Sequence, residues 1–155
     1  MVNEFKTPIK FLFVSLESLS GDLAWSVKRE GHEVKVYIKA KSDYDVYNGF
    51  VDKVEKWEDW TDWADIIVFD DVEFGEVAEK LRKKGKFVVG GSVYTDNLEI
   101  DREFGQAELK KYGVNILPNS NFNSYDEAIA YIKQNHSRYV FKPSGNTPSG
   151  GKGLL

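Results

Sequence analysis

The residues best suited to chemistry stand together between Arg138 and Leu155. Tyr139–Phe141 reads as a short apolar strand that delivers one lysine, Lys142. Ser144 and Gly145 follow, and a second lysine, Lys152, sits among Gly150, Gly151 and Gly153. Glycines adopt backbone angles closed to other residues and leave their amides uncovered, so a phosphate can approach closely. Two lysines flanking such a loop act as point charges on a polyphosphate. The plain alternative is a hairpin turn carrying surface lysines, because the spacing is not that of a Walker loop.

These residues need a scaffold, and the preceding chain reads as an α/β one. Lys10–Leu16 is a short continuous apolar run, the pattern of a strand covered on both faces. Ser20 or Asp22 is a candidate cap for the next helix, which carries Leu23, Ala24 and Val27 and ends at Gly31. Glu33–Lys39 alternates Val34, Val36 and Ile38 as a second strand. Ala40–Gly49 reads as a loop and Val51–Val54 as a short strand. Ala64–Asp71 is the clearest strand and ends in two acids. Asp70 and Asp71 are candidates for a metal or, in the favoured reading, for the cap of the following helix. That helix carries Val77, Ala78 and Leu81 and ends at Lys83-Lys84-Gly85. Lys86–Val89 is a further strand. Alternating strands and helices predict a doubly wound, mostly parallel sheet over roughly residues 8–92. The turn after the first strand lies where such sheets place ligands, but it lacks the Gly-x-Gly-x-x-Gly fingerprint of dinucleotide binding.

The pattern changes near Thr95. Asp101–Tyr112 is an amphipathic helix stopped by Gly113, and Val114–Leu117 is extended. Ser124 with Glu127 forms a capping box, before a helix whose Ala128, Ile129, Tyr131 and Ile132 are expected to face a core. Trp57, Trp60 and Trp63 recur every third residue among acids. They suit either a stacking platform for a base or rings packed on the sheet, and the acidic neighbours favour packing.

Composition narrows the function classes. The chain has 155 residues, 41% apolar and 14% aromatic, with a net charge of −4. That balance argues against nucleic acid as a partner, which needs a basic face. With no cysteine, disulfides, thiolate metal sites and a cysteine nucleophile are excluded, which fits a reducing cytoplasm. No stretch approaches the ~18 apolar residues of a membrane span. The two histidines, His32 and His136, are far apart and read as surface residues rather than a metal pair.

The order of elements and several strings resemble the ATP-grasp superfamily, and within it the phosphoribosylamine–glycine ligase family. The strings are Leu23-Ala24-Trp25, Gly91-Ser92 before Leu98-Glu99, Phe104 with Tyr112-Gly113-Val114, and the helix opening at Ser124. The most specific are Tyr139–Lys142 and then Gly150–Gly153. The resemblance implies a Rossmann-like pre-ATP-grasp domain over residues 1–97 and the first elements of an ATP-grasp domain over 98–155. It implies ATP as cofactor, a small carboxylate and an amine as substrates, and a role in purine biosynthesis. Lys142 would contact the α- and β-phosphates, and Ser144–Gly153 would fold over them with Lys152 near the end. Arg102 stands where the family carries another ATP-contacting lysine, and it keeps the charge but not the geometry. Magnesium ligands are expected downstream of Leu155, so the chain reads as an N-terminal piece, inactive alone. The family's glycine-rich turn after strand one is replaced by Glu17–Asp22, where Glu17 would repel a ribose phosphate. Two other classes stay open. One is a flavodoxin-like signalling module, suggested by acids at two strand ends. The other is a ligase-derived module that binds nucleotide or a partner without catalysis.

Overall fold

The structure is a computed structural model, and it describes residues 7–142. The chain divides into two compact units, Met1–Asp96 and Asn97–Leu155.

The first unit is built on five parallel strands: β1 (Lys10–Ser15), β2 (Glu33–Ile38), β3 (Asp52–Lys53), β4 (Ile66–Phe69) and β5 (Phe87–Val89), in the order β3-β2-β1-β4-β5. Helix α1 (Gly21–Arg29) connects β1 to β2, and α2 (Gly75–Lys83) connects β4 to β5. Side chains alternate between the faces of a strand, so β1 feeds two cores. Leu12 and Val14 join Ile67 and Phe69 beneath Ala78 and Leu81 of α2. Phe13 joins Val34, Val36, Ile38 and Val68 beneath Ala24 of α1. Helices therefore cover both faces, which is why β1 and β4 read as unbroken apolar runs. The left-handed residues Gly31 (φ +92°) and Gly85 (φ +83°) end α1 and α2, as glycines after basic last turns should.

The tryptophans pack on the first of these cores. Trp57 meets Phe69 edge to face at 5.5 Å, and Trp60 meets Trp63 in the same way at 5.7 Å. Lys35 Nζ lies 3.9 Å from the Trp60 ring centre. A face already covered by a lysine and by neighbouring rings is not an open stacking platform.

This unit departs from the sequence expectation at several places. Asp70 and Asp71 do not cap α2. That helix starts at Gly75, with Phe74 at the cap position and no side-chain cap, because residues 72–74 intervene and carry the chain out of their reach. The Gly75 N–H donates instead to Asp96 Oδ2 at 2.8 Å. Neither Ser20 nor Asp22 supplies a side-chain cap to α1. His32 is half-buried, with Nδ1 accepting from the Ile9 N–H at 3.3 Å. A helix unmarked in the sequence, α3 (Val93–Ile100), follows β5.

In the second unit, α4 (Arg102–Lys111) is capped by Asp101, whose side chain accepts from the Phe104 N–H at 3.0 Å. Helix α5 (Tyr125–Gln134) opens on the Ser124 half of the expected capping box, and Glu127 bonds one residue ahead of the cap. Ser124 Oγ accepts from the Glu127 N–H at 3.2 Å, while Glu127 Oε2 reaches back to the Asn123 N–H at 3.0 Å. Ser124→Ala should destabilise the first turn by ~0.5–2 kcal/mol, so the Glu127 amide should exchange roughly 2–30-fold faster. Amide exchange followed by NMR measures this directly, and unchanged protection would contradict the cap. The apolar face of α5 is not in a core: Ala128 is buried, but Ile129 and Ile132 are exposed. Tyr139–Phe141 is not a strand. An apolar triplet becomes one only beside a partner, and no strand stands among the described residues of this unit.

Candidate functional site

The sheet order fixes where a ligand would sit in the first unit. From β1 the chain winds outward through β2 to β3, and from β4 it winds the opposite way to β5. The direction reverses between β1 and β4, and doubly wound sheets bind ligands outside the carboxyl ends of the strands at that point. Two turns meet there, residues 16–20 after β1 and residues 70–74 after β4.

Asp70 ties the two turns together. Its Oδ2 accepts from the Ser20 N–H at 2.8 Å, across fifty residues of sequence. Ser15, fully buried at the end of β1, accepts from the Leu19 N–H through Oγ at 3.2 Å. Asp71 Oδ1 accepts from the Val72 N–H at 2.8 Å. Ser18 and Glu73 take left-handed backbone angles, φ +66° and +73°, which are uncommon for residues with a Cβ and concentrate at ligand clamps. Glu17 is exposed beside them. The crevice is thus acidic and rich in serine hydroxyls. Ser15 and Ser18 were not singled out in the sequence, although the recurrence of Ser15, Ser18 and Ser20 through one turn was visible there.

The sequence-predicted phosphate site lies in the second unit. Lys142 is exposed. Before it, Tyr139 donates its hydroxyl to the Asn135 carbonyl at 2.7 Å and stands edge to face with Tyr131 at 6.0 Å. Desolvation, and then the Tyr131 phenol, raise the Tyr139 hydroxyl from its ordinary value. Arg102 opens α4 half-buried, with Nε lacking a hydrogen-bond partner. Ser144, Gly145, Gly150, Gly151, Lys152 and Gly153 lie outside the described residues. Among the described residues no group of three or more His, Cys, Asp or Glu is placed to hold a metal ion. No described helix is long and apolar enough to cross a membrane.

No family model matches the chain, and no curated protein sequence matches it. Solved structures do match. Among them is N5-carboxyaminoimidazole ribonucleotide synthetase from Thermotoga maritima, at TM-score 0.59 and 17% identity over 79% of this chain. The Staphylococcus aureus synthetase complexed with ADP matches at TM-score 0.64 and 16% identity over 84%. An ADP complex of a further N5-carboxyaminoimidazole ribonucleotide synthetase matches at 0.67 and 13% over 97%. The likeness is one of fold. The chain spans 36–41% of the length of these synthetases, so their activity as whole proteins does not pass to it by likeness alone.

Proposed function

We propose that the chain is the opening part of an ATP-dependent carboxylate–amine ligase of the ATP-grasp kind. Residues 1–97 form its pre-ATP-grasp layer, and 98–155 begin its nucleotide-grasping domain. The observation that carries this reading is the fold match over nearly the whole chain to a synthetase crystallised with ADP. The strings that resemble the phosphoribosylamine–glycine ligase family add weight for the same chemistry from the sequence side, and the proposal stops at that class.

In this reading Lys142 meets the α- and β-phosphates of ATP, and Ser144–Gly153 closes over them with Lys152. Arg102 adds a third cation. The substrate carboxylate oxygen attacks the γ-phosphorus and ADP leaves. The amine nitrogen then attacks the acyl carbon, loses a proton and expels phosphate. Rate enhancement comes from positioning and from neutralising charge on the transferring group. In this reading the ligands for magnesium lie beyond Leu155. The 155 residues alone should therefore fold their sheet layer without turning over.

The test uses the complete product of the reading frame, incubated with ATP and pooled carboxylates and amines. ADP and phosphate should form in equal amounts and require both a carboxylate and an amine. Formation of AMP and pyrophosphate, or turnover by the 155 residues alone, would contradict the proposal.

A further inference from the structure

Two oxygens at the switch point are buried with no hydrogen-bond partner: Ser18 Oγ and Asp70 Oδ1. Ser18 is only 6% exposed. Buried oxygens are ordinarily paired, and an unpaired one is a standing cost to the fold. Asp70 Oδ1 only accepts, so what it lacks is a donor, whereas the Ser18 hydroxyl can either donate or accept.

The surroundings define the charge of that donor. The start of α1 is a place where free amides and the helix dipole favour an anion. Here the chain supplies that anion itself, because Asp70 Oδ2 already holds the Ser20 N–H. The two turns add Glu17 and Asp71, and neither Lys nor Arg occurs within residues 16–21 or 70–75. A phosphate entering would meet an occupied amide and several carboxylates. An ammonium group would bring three N–H donors into a negative field where Asp70 Oδ1 lacks one.

We propose that the crevice between the β1–α1 and β4–α2 turns takes an ammonium-bearing ligand, and that Asp70 is the residue that selects it and refuses phosphate. If the ligase reading holds, this ligand is the amine half of the reaction. The binding claim itself rests on the sheet layer alone.

The experiment follows backbone amides of the full chain by NMR during two titrations at equal ionic strength, one with methylammonium and one with inorganic phosphate. Methylammonium should shift the Ser18, Ser20, Gly21 and Asp70 amides saturably, and phosphate should leave them in place. Asp70→Asn keeps an oxygen for the Ser20 N–H and removes the charge, so it should weaken the methylammonium response at least tenfold. Saturable phosphate shifts at Ser20 and Gly21, no response to methylammonium, or an undiminished response in a folded Asp70→Asn protein would each overturn the proposal. If the variant does not fold, the two wild-type titrations decide. No ATP is present, so failure here leaves the ligase reading intact, and failure to bind ATP elsewhere leaves this site intact.

Discussion

Phe13→Ala is expected to destabilise the sheet layer by about 3–5 kcal/mol, the usual range for deleting a buried aromatic ring. Phe13 is 1% exposed on the central strand. It packs with Ala24 of α1, Val34, Val36 and Ile38 of β2, and Val68 of β4. Its neighbours are held by parallel pairing on both sides of β1, so the site cannot collapse into the space left behind. Small domains keep only ~5–15 kcal/mol of net stability, and this loss takes a large share of it. Urea unfolding followed by tryptophan fluorescence measures it, since all four tryptophans belong to this unit. The midpoint should fall with little change in slope. A loss below ~1 kcal/mol would mean that this face of the sheet is not the core described.

Gly75→Ala sets two effects against each other. Alanine is the better helix former by ~1 kcal/mol, and Gly75 has no left-handed φ to protect. On propensity alone the change should stabilise α2. Yet a Cβ on Gly75 would stand 2.3 Å from the Ser92 carbonyl carbon and oxygen and 2.6 Å from the Val93 nitrogen. Those are backbone atoms, and Asp96 anchors the same segment by accepting the Gly75 N–H. Overpacking against backbone costs roughly 1–3 kcal/mol or more, so the clash should win and the protein should lose stability. The same urea experiment reads the sign. A stabilised Gly75→Ala protein would show that α2 does not dock this closely on residues 92–96.

The sheet layer was legible because its chemistry is local. β1 and β4 are buried on both faces and must be apolar throughout, and glycines mark the ends of α1 and α2. Helix α3 was not legible, because Thr95 and Asn97 are weak helix formers and its apolar residues Val93, Tyr94 and Leu98 stay exposed rather than forming a buried stripe. Tyr139–Phe141 misled for the opposite reason: apolar and aromatic character suggests a strand, but pairing depends on a partner that the triplet does not encode. The acids after β4 were visible as candidates, while the role of Asp70 was not. Its partner, the Ser20 N–H, lies fifty residues away, and only the parallel pairing of β1 with β4 brings the two turns together. The unpaired Ser18 Oγ is likewise a consequence of packing, which composition and spacing do not reveal.

The ligase reading turns on whether this polypeptide holds a triphosphate through Lys142. Calorimetric titration of ATP into the complete product of the reading frame, beside its Lys142→Ala variant, measures that. Saturable binding is expected in the range of about 1 μM to 1 mM where enzyme substrates fall. The variant should be weaker by roughly 10–100-fold, the worth of one charge-assisted contact. Absence of ATP binding, or equal affinity in the Lys142→Ala protein, would contradict it.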